Sequence, residues 1–389
     1  MPNRLLFVVL AGHGHVNPTL PLVEELVRRG HRVDYATSAE FADAVTGAGA
    51  HWVELPSMRP FATPPEIGPD TVARWLRHAF SALRVTYPVL RAHCVVRPPD
   101  HICYDAMNWP ARLVAERLGI PAVRTVPNLA SNKSYSIAEQ LTAGLGPGHP
   151  VLDALAADCA EFSAEYGVGI DIDGTLDVTE RLNLVFVPRA FQPAADTFDG
   201  RFHFLGPAIG RREQAGSWSP PEAGMPVVYV SLGSVFTGST AFYRTCLDAF
   251  ADGPWYVAMT VGDLDPAELG PVPPTVELRP RFPQLAVLRH AAAFVTHAGM
   301  NSTLEALYHG VGLVAVPHTP EQTANAERAA ELGLAETLNG DAVTAEALRS
   351  AVTRLTSDAG VRARLDAMRD TVRGCGGAAL GADLIEGLR

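Results

Sequence analysis

The sequence predicts an α/β protein of two domains, each a doubly wound parallel sheet covered by helices. Three observations predict it. In residues 1–130, short apolar runs alternate with stretches whose apolar residues recur at helical spacing. From residue 226 the same alternation starts again. Between them, 211–226 is rich in Gly, Pro, Ser and Glu and reads as a linker. Alternation of this kind builds βαβ units, whose strands pair in parallel.

Taken in order, 4–10 is β-rich and ends at glycines. Residues 16–29 place Val16, Leu20, Val23, Leu26 and Val27 on one helical face and stop at Gly30. A strand follows at 31–36 and a helix from Ala39. Five prolines between 56 and 69 make a long loop. Then come a strand at 101–104, a helix at 110–118 ended by Gly119, and a strand at 121–126. Past the linker, strands are expected at 227–232, 255–261, 293–296 and 312–316, and helices at 241–251, 302–308 and 321–331. The division is 1–210 for the first domain, 211–225 for the linker and 226–374 for the second. The final stretch, 375–389, forms a helix free to return to the first domain. Two such domains face each other across a cleft, the usual place for a ligand.

Composition narrows the function. The 389 residues are 47% hydrophobic and 19% charged, as expected of a chain with a large core and against intrinsic disorder. Lys and Arg number 31 against 42 Asp and Glu, a net charge of −11, which disfavours a nucleic-acid groove. No apolar run approaches the ~20 residues of a membrane span. The run 5–11 leads straight into Gly-His-Gly-His and reads as a strand, not a signal peptide. Cys94, Cys103, Cys159, Cys246 and Cys375 are odd in number, scattered and without a CxxC pair. A disulfide framework or zinc site is not expected, and a reducing cytoplasm is.

Three segments carry chemistry. In the first βα turn Gly12 and Gly14 fit a dinucleotide fingerprint, but Asn17 stands at its third glycine position and two histidines, His13 and His15, occupy the loop. A histidine at a strand's carboxyl end suits general-base work, although both also serve as surface or capping residues. Asp105 closes a later strand on the same sheet edge. It either orients such a histidine or caps the next helix. The strongest segment is 297–305, His-Ala-Gly-Met-Asn-Ser-Thr-Leu-Glu. A strand feeds a glycine turn and then a helix start, whose free N–H groups and dipole favour an anion. His297, Asn301 and Ser302 add donors, and Glu305 is placed to accept from ribose hydroxyls. Ser234, after Gly233, repeats the strand-then-glycine pattern. The pair Asp263 and Asp265 reads as surface loop.

GHVNP at 14–18, Tyr104-Asp105, SLGS at 231–234 and the block 281–307 together resemble nucleotide-diphosphate-sugar glycosyltransferases of the GT-B fold. The bacterial macrolide glycosyltransferases look nearer than the plant UDP-sugar enzymes. Segments 187–199, 204–207, 241–250 and 382–386 extend the likeness over essentially the whole chain. The resemblance implies an inverting transfer of a hexose, such as glucose from UDP or dTDP, to a hydroxyl of a small lipophilic acceptor such as a macrolide or polyphenol. His15, not His13, would be the base and Asp105 would orient it. His297, Asn301, Ser302 and Ser234 would face the diphosphate. Gln284, Gly299 and Met300 would line the donor, Glu305 would hold the ribose, and Glu321-Gln322 would contact the transferred sugar. Arg281 stands where the family commonly has a base-stacking tryptophan, and a guanidinium plane also stacks. Met300 stands where plant members often carry tryptophan.

No metal and no cofactor beyond the nucleotide-sugar co-substrate is implied, and the chain would work as a monomer or homodimer. For the acceptor, Trp75, Phe80, Trp109 and Asn132 are the candidates, with core packing the competing role of the aromatics. The other readings are a dTDP-deoxysugar transferase of antibiotic biosynthesis, a nucleotide-sugar epimerase of the same fold, and a non-catalytic helper of a sugar-transferring partner.

Overall fold

A computed structural model describes residues 2–56, 69–142, 145, 148–170, 178–214, 216–222, 224–233, 239–340 and 343–388. Ser234 and most of the proline-rich loop, with Phe61 in it, lie outside these. The chain divides into two units, Met1–Ala208 with Gly376–Arg389, and Ile209–Cys375. The first unit takes back the C-terminal helix.

The first unit is built on seven parallel strands: β1 (Arg4–Val8), β2 (Arg32–Thr37), β3 (His51–Glu54), β4 (His101–Asp105), β5 (Ala122–Val126), β6 (Asn183–Val185) and β7 (Phe202–Phe204). Their spatial order is β3-β2-β1-β4-β5-β6-β7. Helices α1 (His13–Arg28), α2 (Ala42–Gly47), α3 (Pro69–Val96), α4 (Trp109–Leu118), α5 (Ile137–Thr142) and α6 (Pro150–Tyr166) connect them. Alternation along β1 shows why both faces need helices. Leu5, Phe7 and Val9 enter one core with Val16, Leu22 and Leu26 of α1. Leu6 and Val8 enter the other with Leu76 and Leu83 of α3 and Leu113 of α4. A parallel strand buried on both faces reads as an unbroken apolar run, which is what 5–9 is.

Helix α1 begins at His13, three residues before the start expected from its apolar face. The Gly12 carbonyl accepts from the N–H groups of both His15 and Val16, at 3.0 and 2.9 Å. The glycine-histidine stretch is therefore the helix's first turn and not an open loop.

The C-terminal helix (Gly377–Glu386) packs on α1, burying Ala382 and Ile385 in the same core as Leu22 and Leu26. Gly381 lets the two helices approach closely, since a Cβ would sit 3.0 Å from Leu22 Cδ1 and 3.1 Å from Leu205 Cδ1. Arg29 fastens the far end. It donates to Asp383 at 2.6 Å, to Glu386 at 2.8 Å and to the Ala379 carbonyl at 3.1 Å.

The second unit has six parallel strands: β8 (Val227–Ser231), β9 (Tyr256–Thr260), β10 (Val276–Arg279), β11 (Ala291–Thr296), β12 (Gly312–Ala315) and β13 (Ala335–Thr337). Their order, β10-β9-β8-β11-β12-β13, repeats the pattern of the first sheet. The helices that bear on the site are Gln284–Leu288, Met300–Tyr308 and Pro320–Glu331. The stretch read as a linker contains a 3-10 turn, Gly210–Gln214, and the buried Trp218, whose ring meets Phe282 and Tyr256. No helix among the described residues is long and apolar enough to cross a membrane.

Candidate active site

Each sheet has one topological switch point, where consecutive connections leave in opposite directions. Ligands gather beside the strand carboxyl ends there. In the first sheet it falls between β1 and β4, which pair in parallel with Val8 beside Tyr104. The chain leaving β1 turns into α1 and carries His15, while β4 ends on Asp105. Topology alone brings the two together across 90 positions of sequence.

The contact is direct. His15 Nδ1 lies 2.8 Å from Asp105 Oδ2. Asp105 is fully buried, and its other oxygen accepts the Met107 N–H at 2.9 Å. A carboxylate only accepts, so it places the ring proton on Nδ1 and the lone pair on Nε2. The His15 side chain keeps 26% of its surface exposed. His13 points elsewhere and packs edge-on against Phe41, with ring centroids 5.2 Å apart. Asp105 is not the cap of α4; Asn108 holds that position.

The acceptor candidates fare unevenly. Phe80 is 2% exposed and meets Phe162 edge-on in the core. Trp109 is buried, with its indole N–H unpartnered among the described residues. Trp75 is half-buried against the same core. The Asn132 amide donates to Thr197 and accepts from the N–H groups of Ser134 and Tyr135. It shapes a local turn, which accounts for its presence without a ligand.

In the second sheet the switch point lies between β8 and β11, paired with Ser231 beside Thr296. Gly233 follows one strand and His297 the other. The His297 ring fits between two glycines. A Cβ on Gly233 would lie 2.7 Å from its Cε1, and one on Gly299 would lie 2.5 Å from its Nε2. Gly233 also has φ +89°, a conformation glycine tolerates best. Burial, with a smaller contribution from His318, pushes the His297 pKa down to about 4, so the ring is neutral near pH 7. Its Nδ1 is buried and has no partner among the described residues.

Ala298 turns the chain sharply, with φ 61°. A left-handed alanine costs roughly 1–2 kcal/mol and persists only where its surroundings enforce it. Here the buried Asn325 amide donates to the Ala298 carbonyl at 3.1 Å, and Ala315 and Ala326 pack against the methyl group. The turn starts the Met300–Tyr308 helix abruptly, capped by Gly299 with no side-chain hydrogen bond. The first backbone N–H groups of that helix are thus not spent on a side-chain cap.

Met300 is buried, whereas Asn301 and Ser302 are half-buried in this first turn. Glu305, one turn on, is 3% exposed. One of its oxygens accepts from Arg212 at 2.7 Å and the other from Gln284 at 2.7 Å. Arg281 is exposed at the surface of the preceding loop. Glu321 and Gln322 open the Pro320–Glu331 helix. Glu321 is exposed, while Gln322 accepts from the His318 N–H at 2.8 Å. Asp265 caps the turn Pro266–Leu269. No group of three His, Cys, Asp or Glu that could hold a metal exists among the described residues.

Two residues escaped the sequence reading. Asn325 holds the strained turn, and Arg212 holds Glu305. A short polar residue inside the Pro320–Glu331 helix pattern, four positions past Glu321, was the available signal for the first. Arg212 left none, because its segment has the composition of a linker.

Comparison with known proteins bears on the whole chain. Residues 210–367 match the family described as UDP-glucoronosyl and UDP-glucosyl transferase. The chain is 36% identical to the demethyllactenocin mycarosyltransferase of Streptomyces fradiae, over 99% of this chain and 86% of that protein. It is 37% identical to the oleandomycin glycosyltransferase of Streptomyces antibioticus, over 99% of this chain and 90% of that one. The solved structure of the calicheamicin glycosyltransferase CalG4 matches with a TM-score of 0.87 and 38% identity, covering 99% and 98% of the two chains.

Proposed function

The chain belongs to the nucleotide-sugar glycosyltransferases of the GT-B fold, and from that premise we propose that it glycosylates a small lipophilic natural product by inverting displacement. The donor is a hexose carried on UDP or dTDP, glucose foremost, and the acceptor is a hydroxyl of a macrolide- or polyphenol-like molecule. The relatives named for oleandomycin and demethyllactenocin support that acceptor class. The epimerase and helper readings find no support in the relatives.

In this reading His15 takes the proton from the acceptor hydroxyl as the new C–O bond forms at the anomeric carbon and the bond to the diphosphate breaks. Asp105 fixes the base-competent tautomer and stabilises the imidazolium. Charge grows on the leaving diphosphate. The start of the Met300–Tyr308 helix aims backbone N–H groups and a positive dipole end at such an anion. His297, neutral and held between glycines, adds one N–H donor. Gln322, its carbonyl oxygen already spent on His318, supplies its amide N–H to a sugar hydroxyl, with Glu321 beside it. Arg281 stacks on the base. This division of work needs no metal ion.

The observation that carries the reading is the 2.8 Å bond between His15 and a fully buried Asp105. Such a pair at a switch point sets up a general base. The test is His15→Ala, which retains UDP binding and loses transfer by roughly 10²–10⁴-fold. Turnover at the wild-type rate removes His15 from that role. A second reading, transfer of a deoxysugar from dTDP, is favoured by the mycarosyltransferase relative. Mass spectrometry of products from UDP-glucose and dTDP-sugars, with macrolide and flavonoid acceptors, separates the two.

A further inference from the structure

We propose that Arg212 is a positioning residue for the donor, holding the Glu305 carboxylate ready for the sugar hydroxyls of the nucleoside. The inference rests on the reading of the second unit as the donor-binding half. A carboxylate that is 3% exposed is tolerated only when it is paired and hydrogen-bonded. Glu305 meets both conditions through two neighbours. Arg212 donates to Oε1 at 2.7 Å, and the Gln284 amide donates to Oε2 at 2.7 Å while lying 3.3 Å from Ser302 Oγ. Each carboxylate oxygen has two lone pairs, so each retains one for another donor. The Gln284 bond is neutral on the donor side and yields to a hydroxyl more readily than the charge-assisted bond from Arg212.

Arg212 does not come from slack chain. The segment that carries it is fastened to the loop that carries Arg281 and Gln284. Gly216, with φ +81°, lies against Pro283, where a Cβ would approach Pro283 Cβ to 2.7 Å. Trp218 meets Phe282 edge-on at 6.3 Å between centroids, and its indole N–H donates to Glu277 at 3.0 Å. The strap and the loop are one packed body, and its polar end is the pair Arg212–Glu305.

The test is calorimetry on the full chain with UDP and with 2′,3′-dideoxyuridine diphosphate, which lacks both hydroxyls. Wild type is expected to favour UDP by about 10-fold or more, as for a hydrogen bond to a charged group. Arg212→Met should weaken UDP by a similar factor and leave the dideoxy nucleotide unchanged, with Arg212→Lys restoring part of the preference. In transfer assays the donor KM rises while kcat stays within about threefold, as expected for lost ground-state binding. Equal weakening of both nucleotides by Arg212→Met overturns the proposal and reduces the strap to scaffolding. Because Arg212→Met leaves a buried carboxylate without its charge partner and risks misfolding, the same change is also made in a Glu305→Gln background. There it should cost UDP nothing further, and an additional loss overturns the proposal. Wild type that binds neither these nucleotides nor dTDP overturns the donor-half reading itself.

Discussion

Replacing Asp105 by Asn tests the proposed base, His15, without altering the shape of the site. The side chain is fully buried, with one oxygen on Met107 N–H and the other on His15 Nδ1. An amide has one oxygen for two donors. If the oxygen stays on Met107, the NH₂ faces Nδ1, which must then accept; the ring proton moves to Nε2 and the base is lost. If the amide flips, His15 keeps its tautomer but two N–H groups meet at Met107, at about 1–3 kcal/mol for a buried unmet donor. In either orientation the charge-assisted bond that stabilises the imidazolium is gone, about 1.5–3 kcal/mol more. The flip and the lost bond together raise the barrier by about 2.5–6 kcal/mol, or roughly 10²–10⁴-fold in kcat. The assay is turnover at saturating donor and acceptor, with UDP affinity and thermal melting measured on the same sample. UDP affinity should stay near wild type, since the proposed donor residues sit on the other sheet, and stability should fall by no more than about 1–3 kcal/mol, the cost of one buried unmet N–H. A kcat within threefold of wild type would refute the tautomer argument.

Gly233→Ala should weaken nucleotide binding and lower the melting temperature. The new methyl meets the His297 ring at 2.7 Å on a backbone at φ +89°, a strain on the order of 1–3 kcal/mol; a variant that binds and melts like wild type contradicts the slot. EDTA should leave transfer intact, and loss of activity restored by magnesium would sink the helix-start account of the leaving group. Acid should destabilise the fold through two histidines. Burial holds both His297 and His309 at about 4, below the ordinary value near 6.5. Above 6.5 both are neutral folded or unfolded. Between 6.5 and 4 the unfolded chain takes up protons that the folded chain refuses, so stability falls as pH falls. His309→Phe should reduce the protons taken up on unfolding in that window by about one, read from urea melts at pH 4.5, 5.5 and 6.5; unchanged slopes count against it.

Much of this was legible in the sequence because buried parallel strands announce themselves. Runs such as 5–9 and 227–230 are apolar throughout and lead towards a glycine turn, and the helices between them show a one-sided apolar face. The short strands β3, β6, β7, β10 and β13 went unread, as three or four residues carry no period. The His15–Asp105 pair was legible because each residue closes or follows a strand, and sheet topology turns that into proximity. Glu305 was legible by helical spacing, but not its enclosure by Arg212 and Gln284. Contacts of that kind depend on how a polar segment with no pattern of its own folds onto a loop 70 residues away. The left-handed Ala298 was invisible for a similar reason, since nothing local to 297–299 demands it and Asn325 enforces it from another helix.

The return of the last helix to α1 has a consequence for engineering. The polypeptide crosses between units twice, at 208–209 and again at 375–376, so the second unit is topologically an insert in the first. A hybrid enzyme spliced at one junction inherits a tail from the wrong parent, and must seat it on a foreign α1 without the match of Leu22 to Gly381 and of Arg29 to Asp383 and Glu386. Exchanging the insert as a cassette, with both joints cut, keeps that seat intact and is the recombination this connectivity favours.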